Sequence, residues 1–423
     1  MTKTKISRRD FTLSGVAAAA TLAAPSVITA QSRTIRLGYV SATSGQRASF
    51  GVSDNWMVEQ IARHLSGGVE IDGAQYDVEI LARDNQSSFN RSAAIGSELI
   101  LREGVDLLLL QDGDATVAIG EMSDINGVPT MTTMIPWQAW MFPRGSTPDQ
   151  GFPWNFNFFW GVGDAMSTFT RIWDQVDTNR IVGDFYLDNP AGLAFANPDI
   201  GLPKFMDMAG YSRVPGGIYK FETDDFSAQV SAFRDADAQI VTGYGTPPNW
   251  TTFWNQAAQG GYSPEVCSFA GAFLFPEAIN ALGDRGDGMS TEVWWTPDMP
   301  FASSLTGQSA RDIAEAWRTD TGRQWVQTMG YSHAPFEIGL QAVKIGGKDP
   351  AAIRDAMSQL TLDTMVGPVD FAGSPIRSVA RTELAGGQWR TSSGAFEYEL
   401  VVTENTLAPS VPVASQTVAL SQL

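Results

Sequence analysis

The sequence predicts an α/β protein made of two doubly wound, Rossmann-like lobes. Three observations carry this. Short apolar runs alternate with stretches of helical periodicity along most of the chain. The pattern breaks at an aromatic-rich segment, Ile135 to Trp160, and then starts again. About 390 residues beyond the N-terminal leader exceed what one hydrophobic core organises, so two cores are expected.

The elements follow in order. Thr34–Val40 alternates Ile35, Leu37 and Tyr39 with polar neighbours and predicts a strand. Val52–Leu65 places Trp56, Ile61 and Leu65 on one helical stripe. "IDGAQYDVEIL" predicts a hairpin turning at Asp72–Gly73. Ser92–Arg102 reads as a helix, Val105–Leu110 as a buried parallel strand, and Val128–Met131 as a short strand. In the second half, strands are predicted at Arg180–Tyr186, Gly217–Phe221 and Gln239–Thr242. Helices are predicted between them at Leu202–Ala209 and Phe226–Arg234, and after them at Trp250–Gln259. Gly260–Gly261 suits a helix end, where positive φ is wanted. Three further helices (Ala310–Arg318, Phe336–Ile345, Ala351–Gln359) and a late strand, Val366–Phe371, complete the reading.

Residues 1–30 read as an export signal rather than part of the fold. Lys3, Lys5, Arg8 and Arg9 precede an apolar run from Phe11 to Ala24, and small residues near Ala30 suit cleavage. "SRRDFTL" resembles the twin-arginine motif, which implies export by that route to the periplasm. Losing the leader, with its four cations and Asp10, takes the net charge from −18 to −21. So acidic a surface disfavours nucleic acid and anionic lipid as partners. The lone Cys267 forms no internal disulfide, and no cysteine follows the leader to carry a lipid anchor.

Several dispersed pieces carry a family resemblance. They are "RLGYVSATSGQRASFG", "GGVEIDGAQYDVEILARDNQSS", "LILREGVDLLLL", "INGVPTM", "TDDFSAQVSAFRDADAQIV" and "AAIRDAMSQLTLDTMVGPVDF". In this order, from about Arg33 to about Gln388, the chain resembles the substrate-binding proteins of branched-chain amino acid type ABC importers. The resemblance implies the type I periplasmic binding fold, with lobes joined by a three-crossing hinge that closes on a ligand. The implied division is 31–156 plus 272–373 for lobe 1 and 157–271 plus 374–423 for lobe 2. Crossings are implied near Asn155–Trp160, near Ser268–Phe275 and after about Gly373.

The resemblance also places a ligand site. Phe50 stands where relatives often carry an aromatic over the ligand, or it staples the first helix. Arg47 offers a fork to a carboxylate, or remains an ordinary loop arginine. In "LQDGDATVA", relatives use Gly and Ser to hold a ligand carboxylate; here Gly113, Ala115 and Thr116 can still present backbone, while Asp112 and Asp114 depart from the pattern. Asp114 is expected to contact ligand or to cap the helix. The next loop, "TTMIPWQAW", keeps the Thr132 and Thr133 hydroxyls but replaces the small polar set with Met134, Ile135, Pro136 and Trp137. In the second half, Asn189 and Ala191 fall in "LDNPAGLAF", where relatives carry an aromatic before a glycine. The segment in which relatives place an acid for the ligand's ammonium reads "TGYGTPPNW", with Tyr244 and Trp250 but no acid. Trp160, Trp294 and Tyr331 are added as wall candidates, with Trp295, Trp140 and Trp154 assigned to packing and His333 to a helix start.

An ammonium buried without an acidic partner is costly. The expected ligand is therefore a small carboxylate with an aromatic or apolar body, with a branched-chain or other aliphatic amino acid as the alternative. The implied partners are that ligand and inner-membrane ABC permease subunits, with the protein a monomer; a ligand-sensing module for a receptor is the reading from another class. No cofactor or metal is expected. Enzyme activity is not expected either, because there is no phosphate loop, no G-x-S-x-G elbow and no metal-ligand spacing. His64 and His333 are the only histidines, and Asp224–Asp225 are adjacent rather than opposed.

Overall fold

The computed structural model describes residues 33–423, so the leader expected over 1–30 lies outside the described residues. The first half runs β1 (Thr34–Ser41), α1 (Asp54–His64), β2 (Val69–Ile71), β3 (Ala74–Asp84), α2 (Phe89–Ser97), β4 (Leu107–Leu110), α3 (Gly113–Asn126), β5 (Thr130–Thr132), α4 (Trp137–Met141), β6 (Asn155–Phe158) and α5 (Val162–Trp173). The second runs β7 (Ile181–Leu187), α6 (Pro190–Ala196), α7 (Leu202–Ala209), β8 (Ser212–Tyr219), α8 (Ser227–Asp235), β9 (Ile240–Tyr244), α9 (Pro247–Gln259), β10 (Val266–Ala270), α10 (Pro276–Asn280) and β11 (Ser290–Val293). The return is α11 (Ala310–Thr321), α12 (Thr328–Gly346), α13 (Pro350–Ser358), β12 (Thr361–Thr364), β13 (Gly367–Asp370), β14 (Val379–Ala380), β15 (Leu384–Thr391) and β16 (Tyr398–Leu407).

Two sheets organise these elements, as a type I periplasmic binding fold requires. The first has the order β14-β6-β5-β4-β1-β3-β2, parallel except at the β2–β3 hairpin. The second has the order β16-β15-β11-β10-β9-β7-β8, parallel except where β15 and β16 join. The run Leu107–Leu110 is wholly apolar because helices cover both faces of a parallel strand: Leu107 and Leu109 belong to one core and Leu108 and Leu110 to another. In each sheet the strand order reverses once, between β1 and β4 in the first and between β7 and β9 in the second. Loops at the carboxyl ends of strands beside such a reversal are where open α/β sheets bind ligands.

Three departures from the sequence expectations have physical causes. The second sheet keeps β11, so the chain leaves it after Val293, not near Ser268–Phe275; β10 and β11 pair in parallel at Ser268 and Ser290. The last crossing follows β14, which pairs with β6 in the first sheet, and so falls after Ala380 rather than after Gly373. Helix α12 begins at Thr328 and carries Pro335 inside it, whereas the sequence suggested a start at Phe336. Burial of nearly every residue of α12 outweighs the hydrogen bond Pro335 cannot make.

Candidate functional site

The candidate residues sit at the carboxyl ends of strands flanking the two reversal points. Arg47 and Phe50 follow β1, Gly113 and Ala115 follow β4, and Thr133 and Met134 follow β5. Asn189 follows β7 and Tyr244 ends β9. Trp160 lies on the first crossing and Trp294 on the second. The fold thus gathers into one region residues that the chain spreads from position 47 to position 294.

Five of these side chains, joined by Phe195, form a continuous ladder from one sheet's rim to the other's. The Arg47 guanidinium carbon lies 4.7 Å above the centre of the Phe50 ring. Phe50 tilts against Trp294 at 6.2 Å, and Trp294 meets Trp160 edge-on at 5.8 Å. Trp160 meets Phe195 at 6.4 Å, and Phe195 leans on Tyr244 at 5.2 Å. Phe159, Tyr331 and Phe275 back the ladder: Phe159 stands at right angles to Trp294 and near-perpendicular to Tyr331, and Phe275 meets Phe50 edge-on. All these rings are buried. Among the described residues, the Trp160 indole N–H is buried without a hydrogen-bond acceptor, while the Trp294 indole lies against the Glu292 carboxyl and opposes its rise. The core indoles of Trp140, Trp250 and Trp295 also lack an acceptor.

At the Arg47 end, charges are arranged by packing. Arg47 Nε donates to Asp112 Oδ1 at 2.8 Å, and both groups are buried. Asp112 also accepts from Asn85 Nδ2 at 2.7 Å and caps α3 through the Ala115 N–H at 3.4 Å. The helix cap is therefore Asp112; Asp114 lies within the first turn of α3. Gln111 donates from Nε2 to the Phe50 carbonyl (3.0 Å), to Asp54 Oδ1 (3.2 Å) and toward Met134 Sδ (3.2 Å). Asp54 also accepts from Ser332 Oγ at 2.5 Å, and burial raises its carboxyl to about 7. Met134 holds φ +55°, a conformation that side chains rarely adopt and that places its backbone near Gly113.

Other expectations resolve differently. The Thr132 and Thr133 hydroxyls donate to the Phe156 and Phe158 carbonyls of β6, so they hold strands together rather than face a ligand as donors. Asn189 caps α6 by accepting from the Gly192 N–H at 2.8 Å. Trp137 stands apart from the ladder: half-buried, it meets Phe142 edge-on and packs against Gly161 at the start of α5. Trp250 is core, enclosed by Phe253, Trp254, Phe269 and Phe273. Trp295 packs on Trp325 and Gly330. Trp140 is buried against Phe152, while Trp154 lies under the Arg354 guanidinium. Tyr331 donates its hydroxyl to Thr382 Oγ1 at 2.8 Å. His333 is inside α12, not at a helix start; its ring lies 2.7 Å from Ser303 Oγ, and burial lowers it to about 3.

Sequence reasoning missed Phe195, Phe159, Phe275 and above all Glu292. Glu292 is a buried acid on β11, one strand from the hinge and next to Trp294 in space. Its Oε2 accepts from Thr291 Oγ1 at 3.0 Å and its Oε1 from the Gly271 N–H at 3.4 Å. A carboxylate in the otherwise neutral stretch "STEVWW" was the available signal.

Comparison with known proteins bears on this geometry. The family described as periplasmic binding protein matches residues 34–392. The Leu/Ile/Val-binding protein homolog 7 of Brucella abortus (strain 2308) is 22% identical over 382 residues, covering 84% of this chain and 89% of that protein. A leucine binding protein from Thermotoga maritima MSB8 superposes with a TM-score of 0.68 at 17% identity, covering 88% of this chain and 99% of that one. A solute binding protein of an ABC transporter from Rhodopseudomonas palustris BisB5, solved in complex with 3,4-dihydroxybenzoic acid, gives 0.69 at 15% identity, covering 88% and 97%.

Proposed function

The chain belongs to the periplasmic binding protein family, and from that premise we propose that it is the periplasmic solute-binding component of an ABC importer. It captures a small carboxylate with an aromatic or apolar body between its lobes and hands it, as a monomer, to inner-membrane permease subunits. The observation that carries this reading is the ladder Arg47–Phe50–Trp294–Trp160–Phe195–Tyr244, which runs from one rim to the other. Tilted and edge-on rings offer an apolar face between the two rims, and apolar burial is what a planar ligand body contributes. At one end stands the Arg47 guanidinium, ion-paired with Asp112, and the Trp160 indole N–H supplies a donor for a ligand oxygen. The residues named for the slot work as walls and donors, with no role for a cofactor.

A second reading, a branched-chain or other aliphatic amino acid, is favoured by one observation. Glu292 restores a buried acid beside the cleft, which the segment around Tyr244 lacks. A thermal-shift screen separates the two. A ligand at a hundred times its dissociation constant stabilises the protein by about 2.7 kcal/mol. Benzoate-like acids are expected to produce that shift. Stabilisation by leucine or isoleucine with no response to aromatic acids would sink the first reading in favour of the second.

A further inference from the structure

We propose that a crevice at the amino end of the first sheet is a second ligand site, which takes a zwitterion with an apolar body: a free apolar amino acid. The crevice lies where the chain enters the parallel strands β6 and β14, at the end of that sheet opposite the ladder. It stands independently of the reading given to the cleft.

Size and floor come first. The cavity holds about 630 Å³, within the range of small-molecule sites, and Phe152, Phe156 and Phe371 line it. Phe156 and Phe371 are buried and meet edge-on at 5.7 Å, and Phe152 is held edge-on against Trp140 at 4.7 Å. These rings make an apolar floor fixed by the core behind it. The walls are fastened as well. The Arg377 N–H donates to the Pro148 carbonyl at 2.8 Å. Ser378 Oγ donates to the Phe152 carbonyl at 3.0 Å and accepts from the Phe152 N–H at 3.3 Å. These bonds hold Ser378 at φ +64°, which residues other than glycine rarely adopt. Gly151 sits against it at φ +60°, where an added Cβ would lie 2.7 Å from Ser378 Oγ.

Charge decides the ligand class. Four charged side chains line the cavity, two of each sign: Arg354, Asp355, Arg377 and Asp149. Arg354 pairs with Asp355 at 2.6 Å and lies over the Trp154 ring, so these two satisfy each other. Asp149 and Arg377 are exposed, and among the described residues neither side chain has an ion-pair or hydrogen-bond partner. Their backbones are neighbours through the bond to Pro148, yet the two side chains do not pair with each other. The cavity thus presents one open guanidinium and one open carboxylate beside a phenylalanine floor. A ligand carboxylate takes the Arg377 fork, a ligand ammonium takes Asp149, and an apolar body covers the rings. A plain anion or a plain cation leaves one of the two open charges unmatched. Both contacts face water, so each adds little, and binding is of about millimolar strength.

The test reads occupancy at the crevice itself. Ala372 and Gln359 are exposed and line it, so Ala372→Cys and Gln359→Cys, in separate full-length proteins, each take a trifluoromethyl label there. Cys267 is buried and stays unlabelled. Fluorine NMR then follows titration with phenylalanine, with 3-phenylpropanoate, which lacks the ammonium, and with 2-phenylethylamine, which lacks the carboxylate. Phenylalanine should bind about fivefold more tightly than either counterpart, the upper margin of an exposed ion contact. Arg377→Ala should reduce the preference over 2-phenylethylamine to about twofold or less, and Asp149→Asn should do the same to the preference over 3-phenylpropanoate. Both side chains are exposed, so these changes leave the fold intact. Preferences that survive in the variants overturn the inference. Equal binding of 3-phenylpropanoate and phenylalanine also overturns it, because the crevice would then take a plain anion. A thermal shift with phenylalanine and no fluorine response at either label places the amino acid elsewhere and overturns the second site, leaving the cleft to its own screen. No response to any of the three compounds overturns it too.

Discussion

Replacing Asp54 with Asn should remove a defined slice of the protein's pH dependence. Asp54 opens α1 directly beneath the Phe50 loop, with Ser332 Oγ and Gln111 Nε2 donating to one carboxyl oxygen at 2.5 and 3.2 Å. Burial is the main cause that raises its carboxyl from 3.8 to about 7, with the charge of Asp112 adding to it; hydrogen bonds from Ser332, Ser41 and Tyr39 oppose the rise. The folded state therefore favours the neutral acid. Its stabilising contribution is complete below about pH 4, where the unfolded chain is also protonated, and is lost as pH rises through about 7. The rise from 3.8 to about 7 corresponds to a swing of about 4 kcal/mol at most. Asn is neutral at every pH and keeps an oxygen for both donors. Glu292 and Glu337, also raised to about 7 by burial, remain in both proteins and cancel in the comparison. Urea unfolding from pH 4 to pH 8 should show the variant gaining on the native protein by up to about 4 kcal/mol as pH rises. A difference constant within about 0.5 kcal/mol across that range would refute the assignment of Asp54 as a buried neutral acid.

Two further substitutions probe the lobes. Trp137→Ala should weaken ligand binding by about tenfold, because the half-buried indole packs α4 onto the start of α5 beside the first crossing; titration calorimetry beside an unliganded melt checks it, and a large loss of unliganded stability would place Trp137 in a lobe core. Gly243→Ala should destabilise by about 3 kcal/mol or more, since Gly243 sits at φ +152° and an added Cβ would lie 1.9 Å from the Phe185 carbonyl oxygen and 2.7 Å from the Phe269 ring; a melting temperature within about two degrees of native would contradict it.

Much of the fold was legible because burial leaves a period in the sequence. The Leu107–Leu110 run needed no partner to be read as a strand covered on both faces. Element ends were less legible. The strand expected at Gly217–Phe221 is Ser212–Tyr219, displaced because "SRVPGGIY" carries Pro215 and two glycines that speak against a strand. It is an edge strand, where a missing N–H is tolerated and a bulge opposite Asp184–Phe185 takes up the irregularity. The site was legible to the extent that ring positions at strand ends were recognisable, so Phe50, Trp160, Tyr244 and Trp294 meet in one ladder. Trp137 and Trp250 had the same composition signal and do not join it.

The aromatic-rich segment from Ile135 to Trp160 separates the two kinds of knowledge. By itself the sequence determined that the chain is α/β, that its pattern restarts after this segment, and that four tryptophans crowd it. Those properties follow from local periodicity and composition, which each stretch carries without reference to any other. Only the tertiary structure decided that Trp160 faces Trp294 while Trp140 is buried against Phe152. It also decided that Arg47 is paired with Asp112, 65 residues away, and that an acid on β11 stands where the loop after β9 has none. Such contacts depend on strand order and on which loops two sheets bring to a common edge. Pairing of this kind is a property of the packed chain, because the energy of a ring or a charge in the site belongs to its neighbours rather than to its place in the sequence.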